Sequence, residues 1–322
     1  MTPPVLVSAE KLSCHFARPG LWRRGAPVQA VTEFSLTIRK GAAVGLVGES
    51  GSGKTTVGRL LLGLLAPTAG RVVFDGIDLA ARSAEALRRL RPRMQLVFQD
   101  PYGSLDPRRA VGAQIADPLD IHALMPPAAR PARVAELLAQ VGLAPEHARR
   151  LPHAFSGGQR QRIGIARALA SSPDLLVADE PVSALDVSVQ AQVLTLLTDL
   201  RARLGLTMLF ISHDLPVVRH LCDTVVVMYL GRVMESGPAA RIFAAPRHPY
   251  TRALLSAAPA MHPDRRRARI LLQGEPPSPA APPSGCVFRT RCPHALQQCA
   301  EAVPALRGEG EHLSACVRDD LR

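Results

Sequence analysis

Aromatic residues are scarce in this chain of 322 residues, at 4%. They do not alternate with basic residues, and no basic tail is present, so the sequence carries no footprint of a nucleic-acid partner. Lysine is rarer still. It occurs only at Lys11, Lys40 and Lys54, so the 39 basic residues are nearly all arginine. No apolar run approaches the roughly 20 residues needed to span a bilayer. The longest are Leu60–Ala66 and Val225–Leu230. The opening Met1-Thr-Pro-Pro lacks a basic segment followed by an apolar one, so no secretory signal is expected and the chain is placed in the cytosol. Six cysteines are too few for a disulfide scaffold, and that compartment would keep them reduced.

What is present is ample core material, with 47% hydrophobic and 20% charged residues, enough for two domains or one large domain with an appendage. The 39 basic residues exceed the 27 acidic ones by 12. The excess concentrates in residues 1–100, with 14 basic against 7 acidic, and includes Arg82, Arg88, Arg89, Arg91 and Arg93. These arginines read as a solvated surface, or as one lying near anionic lipid, before a nucleic-acid stripe.

Alternating apolar residues at Phe34, Leu36 and Ile38 predict a strand, as does Val5-Leu-Val7. Ala42–Val47, Met94–Phe98, Leu175–Ala178 and Met208–Ile211 read as short buried strands. Helices are predicted over Thr55–Leu65, with Pro67 as the stop, and over Ile163–Ala170 and Val187–Leu204. Strand–helix alternation implies an α/β fold, a mostly parallel sheet covered by helices. Residues 101–160, rich in Pro and Ala with a helical patch at Val134–Val141, read as a helical insertion. Gly274–Gly285 reads as an extended Pro-rich linker, and four of the six cysteines follow it.

Gly48-Glu-Ser-Gly-Ser-Gly-Lys-Thr55 matches the eight-residue phosphate-loop pattern, after a predicted strand and at the start of a predicted helix. Gly48, Gly51 and Gly53 let successive N–H groups curl toward phosphate oxygens, and Glu49, Ser50 and Ser52 stand between them. The helix N-terminus adds partial positive charge. Lys54 then reaches the β- and γ-phosphates, Thr55 offers its hydroxyl to Mg²⁺, and Thr56 continues the cradle. Leu175-Leu-Val-Ala-Asp-Glu180 delivers two carboxylates at the end of an apolar strand, where open α/β sheets bind ligands. Asp179 is expected to hold Mg²⁺ through water and Glu180 to polarise the attacking water as general base. Gln99 and His213, each following a predicted strand, can close the site on Mg²⁺ and the γ-phosphate.

These motifs, with Ser156-Gly-Gly-Gln159 and Ser183-Ala-Leu-Asp186, resemble in order and spacing the ATP-binding cassette (ABC) ATPases over about residues 5–235. The resemblance implies a P-loop NTPase (RecA-like) core with an antiparallel β subdomain and an α-helical subdomain at about 101–160. It also implies two cassettes sandwiching two ATP molecules, with Ser156, Gly157, Gly158 and Gln159 completing the partner's site and Asp186 coupling the two. Phe155 stands where the common form has Leu. An aromatic ring upstream of the loop would stack on adenine; Phe16 is the choice and Trp22 the alternative.

A narrower resemblance is to the oligopeptide/dipeptide importer subfamily. It rests on Glu49-Ser50, Phe98-Gln-Asp-Pro-Tyr-Gly-Ser-Leu-Asp-Pro107, Pro152–Gln159, His248-Pro-Tyr-Thr-Arg-Ala-Leu-Leu255, Gly274-Glu-Pro-Pro-Ser-Pro279 and Gly285-Cys-Val-Phe-Arg-Thr-Arg-Cys-Pro293. It implies a peripheral ATPase on the cytoplasmic face of the membrane. Its partners would be a second ATPase subunit, like or unlike, and two transmembrane permease subunits, with an extracytoplasmic solute-binding protein acting indirectly. A cassette of residues 1–235 and an extension of 236–322 follow. Alternatives are an importer ATPase for another solute such as nickel, a soluble ABC ATPase, or a regulatory subunit without turnover. Cys286, Cys292, Cys299 and Cys316 contain no Cys-x2-Cys pair, so the usual zinc pattern is missing. Four thiolates can hold an iron–sulfur cluster, and the subfamily resemblance includes proteins with a [4Fe–4S] cluster; simple packing of reduced cysteines is the alternative. Cys14 and Cys222 read as buried hydrophobes.

Overall fold

The computed structural model describes residues 3–18, 25–100, 102–257, 270–318 and 320. The chain forms two compact units, each discontinuous in sequence. Among the described residues, one gathers 3–6, 39–42 and 81–211, and the other those lying within 7–38, 43–80 and 212–320.

In the first unit, strands Met94–Val97, Leu175–Asp179 and Thr207–Ser212 lie side by side and parallel. Leu175 pairs with both Met94 and Thr207, and the register runs on to Asp179 opposite Ile211. Every residue of Leu175–Asp179 and of Thr207–Ser212 is buried, as continuous apolar runs in a parallel sheet require. The helix Gly157–Leu169 begins well before the predicted Ile163, because Ser156 caps it. Residues 101–160 carry helices Val111–Ile121 and Arg130–Gln140 with short 3₁₀ turns, packed through Ile115, Leu119, Val134, Leu137 and Leu138. The helix Val187–Leu204 has the predicted bounds.

The second unit holds two sheet portions. One is antiparallel, in the order Gly25–Arg39, Val5–Arg18, Ala69–Phe74, Ile77–Asp78. The other runs Arg307–Glu309, His312–Ser314, Arg232–Pro238, Thr224–Tyr229, Ala43–Val47. Only its last pair is parallel, with Val44 beside Thr224 and Val47 beside Val227. The tail thus contributes strands to a sheet, which its Pro-rich composition did not announce. The helix after the phosphate loop is Lys54–Leu61, shorter than predicted. Gly63, not Pro67, stops it. Gly63 sits at φ +62, its N–H donates to the Leu60 carbonyl, and the Leu64 N–H donates to the Arg59 carbonyl. That pair of bonds closes the last turn around a left-handed residue, which glycine adopts without a Cβ penalty.

Candidate functional site: a phosphate cradle and a carboxylate-bearing strand end

In the second unit, the buried strand Ala43–Val47 delivers the chain into the loop Gly48–Gly53, and the helix begins at Lys54. Gly48 and Ser52 are buried, Glu49 and Gly53 half-buried, and Ser50 and Gly51 exposed. The exposed pair forms the tip of a turn closed by the Ser52 N–H on the Glu49 carbonyl at 3.2 Å.

Two of the loop glycines are required for different reasons. Gly51 lies at φ +77, yet a Cβ there would meet nothing within 4 Å, so its left-handed backbone alone calls for glycine. It is exposed at the tip of the loop. Gly53 is the helix N-cap at φ +98, and a Cβ there would stand 2.2 Å from the Ala30 carbonyl oxygen. No side-chain hydrogen bond caps this helix, the arrangement in which first-turn N–H groups can serve an anion.

Lys54 is 5% exposed, and its Nζ donates to the carbonyls of Gly48 and Glu49, each at 2.8 Å. Thr55 and Thr56 are half-buried at the first turn. His213 is exposed in this unit, and Phe16 exposes its ring on the strand Val5–Arg18. Trp22 lies outside the described residues. A cavity of about 500 Å³ opens beside the loop, lined by Glu49, Ser50, Gly51, Ser52, Tyr229 and the segment Glu275–Pro279.

Two side chains that sequence reasoning did not assign a role grip this loop, and a third, Tyr229, braces one of them. The Tyr250 hydroxyl accepts the Glu49 N–H at 2.9 Å. Arg291 donates to the Glu49 carboxylate at 2.7 Å and to the Tyr229 hydroxyl at 3.3 Å. Both tyrosines are buried, and burial raises their pKa above the ordinary phenol value. The motifs containing Tyr250 and Arg291 were visible as subfamily signatures. Their task was not, because 242 positions separate Arg291 from Glu49.

In the first unit, the strand Leu175–Asp179 ends on Asp179, 8% exposed, and turns at Glu180. Glu180 has φ +46, a left-handed conformation that costs a non-glycine residue of order 1–3 kcal/mol. The turn is held by the Glu180 N–H on the Ile211 carbonyl and by the Ser183 hydroxyl on the Glu180 carbonyl. Gln99 Nε2 donates to Glu180 Oε2 at 3.1 Å, so the structure brings together two candidate residues 81 positions apart. Ser156 and Gln159 form a reciprocal cap. The Gln159 N–H donates to Ser156 Oγ at 3.3 Å, and the Ser156 N–H donates to Gln159 Oε1 at 3.0 Å. Ser156 is exposed, Gly157 half-buried and Gly158 buried. Phe155, buried, packs edge-on against His147 at 5.4 Å, so the departure from Leu is absorbed by core packing. Asp186 is the exposed N-cap of Val187–Leu204 and makes no side-chain cap bond.

The four tail cysteines are free thiols; Cys286 and Cys299 are buried, Cys292 and Cys316 half-buried. Two of the sulfurs receive a backbone N–H, Cys299 from Leu296 at 3.4 Å and Cys316 from Arg318 at 3.5 Å. Burial pushes Cys286 up to about 11 and raises Cys292 and Cys316, with the neighbouring tail thiols adding to each shift. Among the described residues, no three or more His, Cys, Asp or Glu side chains are grouped so as to hold a metal ion.

A strand-to-helix phosphate loop, a strand ending in Asp-Glu, a Gln touching that Glu and a capped Ser-Gly-Gly-Gln helix together define an ATP-binding cassette. Residues 31–183 match the family described as ABC transporter, and residues 234–299 match the oligopeptide/dipeptide transporter C-terminal region. The chain is 54% identical over its whole length, and over the whole of that chain, to a Brucella ovis protein whose name assigns it to peptide import as an ATP-binding protein. It is 48% identical to the dipeptide transport ATP-binding protein DppF of Escherichia coli, across 98% of this chain and 95% of that one. A solved ATP-binding cassette, a dimeric post-hydrolysis state bound to ADP and Pi, superposes with a TM-score of 0.65 at 29% identity, over 73% of this chain and 99% of that one. The chain belongs to the ATP-binding proteins of the oligopeptide/dipeptide family of ABC transporters, with the P-loop cassette fold and ATPase activity of that family.

Proposed function

We propose that this chain hydrolyses ATP to drive import of di- and oligopeptides, as one of two ATPase subunits seated on the cytoplasmic face of two permease subunits. Among the described residues no helix is long and apolar enough to cross a membrane, so the pathway is assigned to other chains. A solute-binding protein outside the membrane would supply the peptide. The near full-length match to peptide-transport relatives supports this reading, and so does the extension match at 234–299. The domain reading that goes with it is a cassette of residues 1–235 followed by an extension of 236–322.

The observation that carries the hydrolytic role is Glu180: a carboxylate at the end of a buried strand, in a strained turn, oriented by Gln99 at 3.1 Å. In this reading Glu180 takes the proton of the attacking water, and Gln99 and His213 orient the water and the γ-phosphate. Lys54 and the N–H groups of Ser50, Gly51 and Gly53, in a loop shaped by Gly48, Glu49 and Ser52, hold the phosphates with Thr55 and Thr56. Thr55, Gln99 and Asp179 offer hydroxyl, amide and carboxylate oxygens, a hard donor set that fits Mg²⁺. That ion would supply charge neutralisation on the phosphates. Phe16, exposed, stacks on adenine. Ser156, Gly157, Gly158 and Gln159 complete the partner's ATP site, and Asp186 couples the two sites. The dimeric state of the solved cassette supports that arrangement.

Glu180→Gln is expected to leave ATP binding intact, trap the dimer and abolish hydrolysis. Unchanged ATPase activity in the assembled transporter would remove Glu180 from the base role. Uptake of labelled peptides in a deletion strain, with nickel as the competing solute, tests the transport assignment; loss of nickel uptake alone overturns it.

For the tail, the donor set does not fit a single ion, since no three ligands are so grouped among the described residues. Four thiols are the kind of ligand an iron–sulfur cluster takes, and hydrogen bonds to sulfur tune such a cluster; here Cys299 and Cys316 each receive a backbone N–H. Iron, acid-labile sulfide and visible absorbance after anaerobic purification decide this. Absence of iron leaves four reduced packing cysteines.

A further inference from the structure

The second residue of the phosphate loop is a glutamate, which is electrostatically the wrong sign for its place. Glu49 shares its loop with Lys54 and the helix N-terminus, where a polyanion is to be held. An uncompensated carboxylate there would repel the phosphates, and the repulsion grows as the surroundings exclude water. The tail supplies the compensation. Arg291 reaches Glu49 at 2.7 Å, and its side chain is only 9% exposed against 27% for the glutamate.

Arg291 is held from several directions. It bonds the Tyr229 hydroxyl at 3.3 Å, and its guanidinium lies 5.8 Å from the centre of that ring. Its own N–H donates to the Phe288 carbonyl. Phe288, 1% exposed, packs edge-on against Tyr229 at 5.3 Å and tilted against Tyr250 at 5.2 Å. Tyr250, fully buried, meets Tyr229 at 4.8 Å and accepts the Glu49 N–H. A pre-placed cation therefore stands on a rigid aromatic base, and the same base fixes the first peptide of the loop. Neither Arg291 nor Tyr250 lies in a motif assigned above to the nucleotide.

We infer that Arg291 and Tyr250 are positioning residues for ATP: Arg291 cancels the Glu49 charge beside the phosphates, Tyr250 fixes the Glu49 peptide, and nucleotide affinity thereby depends on the docked tail. The inference rests on the phosphate loop being the ATP site. It makes a prediction about sign that a packing role does not make. If the carboxylate is harmful only when uncompensated, deleting it must repair the loss of the arginine.

The experiment is calorimetric titration of ATP with Mg²⁺ into the full-length chain, beside thermal denaturation of each variant. Arg291→Gln, which keeps hydrogen-bonding capacity while removing the charge, is expected to weaken ATP binding roughly tenfold or more. The double variant Arg291→Gln with Glu49→Gln is expected to recover to within about threefold of wild type, since the unpaired charge is gone. Arg291→Lys keeps the charge and is expected to bind ATP within a few-fold of wild type, even if its melting temperature falls with that of Arg291→Gln. Tyr250→Phe should weaken binding whether or not Glu49 is neutralised. In the assembled transporter the Arg291→Gln effect should fall on KM for ATP and leave kcat near wild type. Wild-type affinity in Arg291→Gln overturns the inference, as does a double variant no better than Arg291→Gln. A wild-type chain that binds no ATP overturns both this inference and the site it rests on.

Discussion

His248 shows how a single side chain in the extension ties stability to pH. It is fully buried against Phe288, and its Nδ1 accepts the Tyr250 N–H at 3.1 Å, which requires an unprotonated nitrogen. Burial lowers its pKa from 6.5 to about 3. The unfolded chain therefore binds one more proton than the folded chain between about pH 3 and 6.5. Stability from this group is complete above 6.5 and falls as pH drops through that window, by up to about 1.4 kcal/mol per unit. Denaturant midpoints of His248→Gln, measured from about pH 7 to 4, should show a shallower acid slope than wild type. At this scale the sequence was readable where chemistry is local. Lys54, Thr55, Asp179 and Glu180 stand out by motif, whereas the contact of Gln99 with Glu180 spans 81 positions and shows only in the fold. His248 and Arg291 stood inside signatures whose meaning lies in what they touch, and no periodicity encodes that.

The helix Gly157–Leu169 carries two duties at its start, and substitutions can separate them. Ser156 and Gln159 cap each other, so Ser156→Ala should destabilise the chain by about 1 kcal/mol. Ser156→Asp keeps a capping oxygen and restores that stability. It also places a negative charge where the partner's γ-phosphate is proposed to sit, so ATPase activity in the transporter should stay lost. Equal recovery of stability and activity would confine Ser156 to capping. Element existence was legible almost throughout: the buried strands and the helix Val187–Leu204 follow from apolar runs and length. Boundaries were less so. The helix after the phosphate loop was extended to Leu65 on composition, but Gly63 ends it, since a left-handed closing turn outweighs the apolar residues beyond it. The strands Arg307–Glu309 and His312–Ser314 are short and sit in polar, cysteine-bearing sequence, so alternation could not reveal them.

At the scale of the molecule, the tail is joined to its unit through a buried polar knot. Glu235, with no exposed surface, accepts the N–H groups of Arg247 and His248 and meets His312 Nε2 at 2.7 Å. Arg247 in turn donates to the His312 carbonyl at 3.0 Å. His312→Ala leaves one buried carboxylate contact unmade and should cost roughly 1–3 kcal/mol. Limited proteolysis should then cut beyond Pro238 before cutting the phosphate-loop region; unchanged protection would show that the strand pairing alone holds the tail.

The loop's dependence on distant chain also has a consequence in time. Val44–Val47 pairs with Thr224–Val227, and Glu49 finds Arg291 only 242 residues later. At synthesis rates of about 5–20 residues per second, that separation is on the order of tens of seconds. A nascent chain that already displays Gly48–Thr55 has neither the strand beside it nor the cation that balances it. The cradle forms late in synthesis, so ATP cannot act as an early template for this fold, and everything made before the Thr224–Tyr229 strand must reach its place without it.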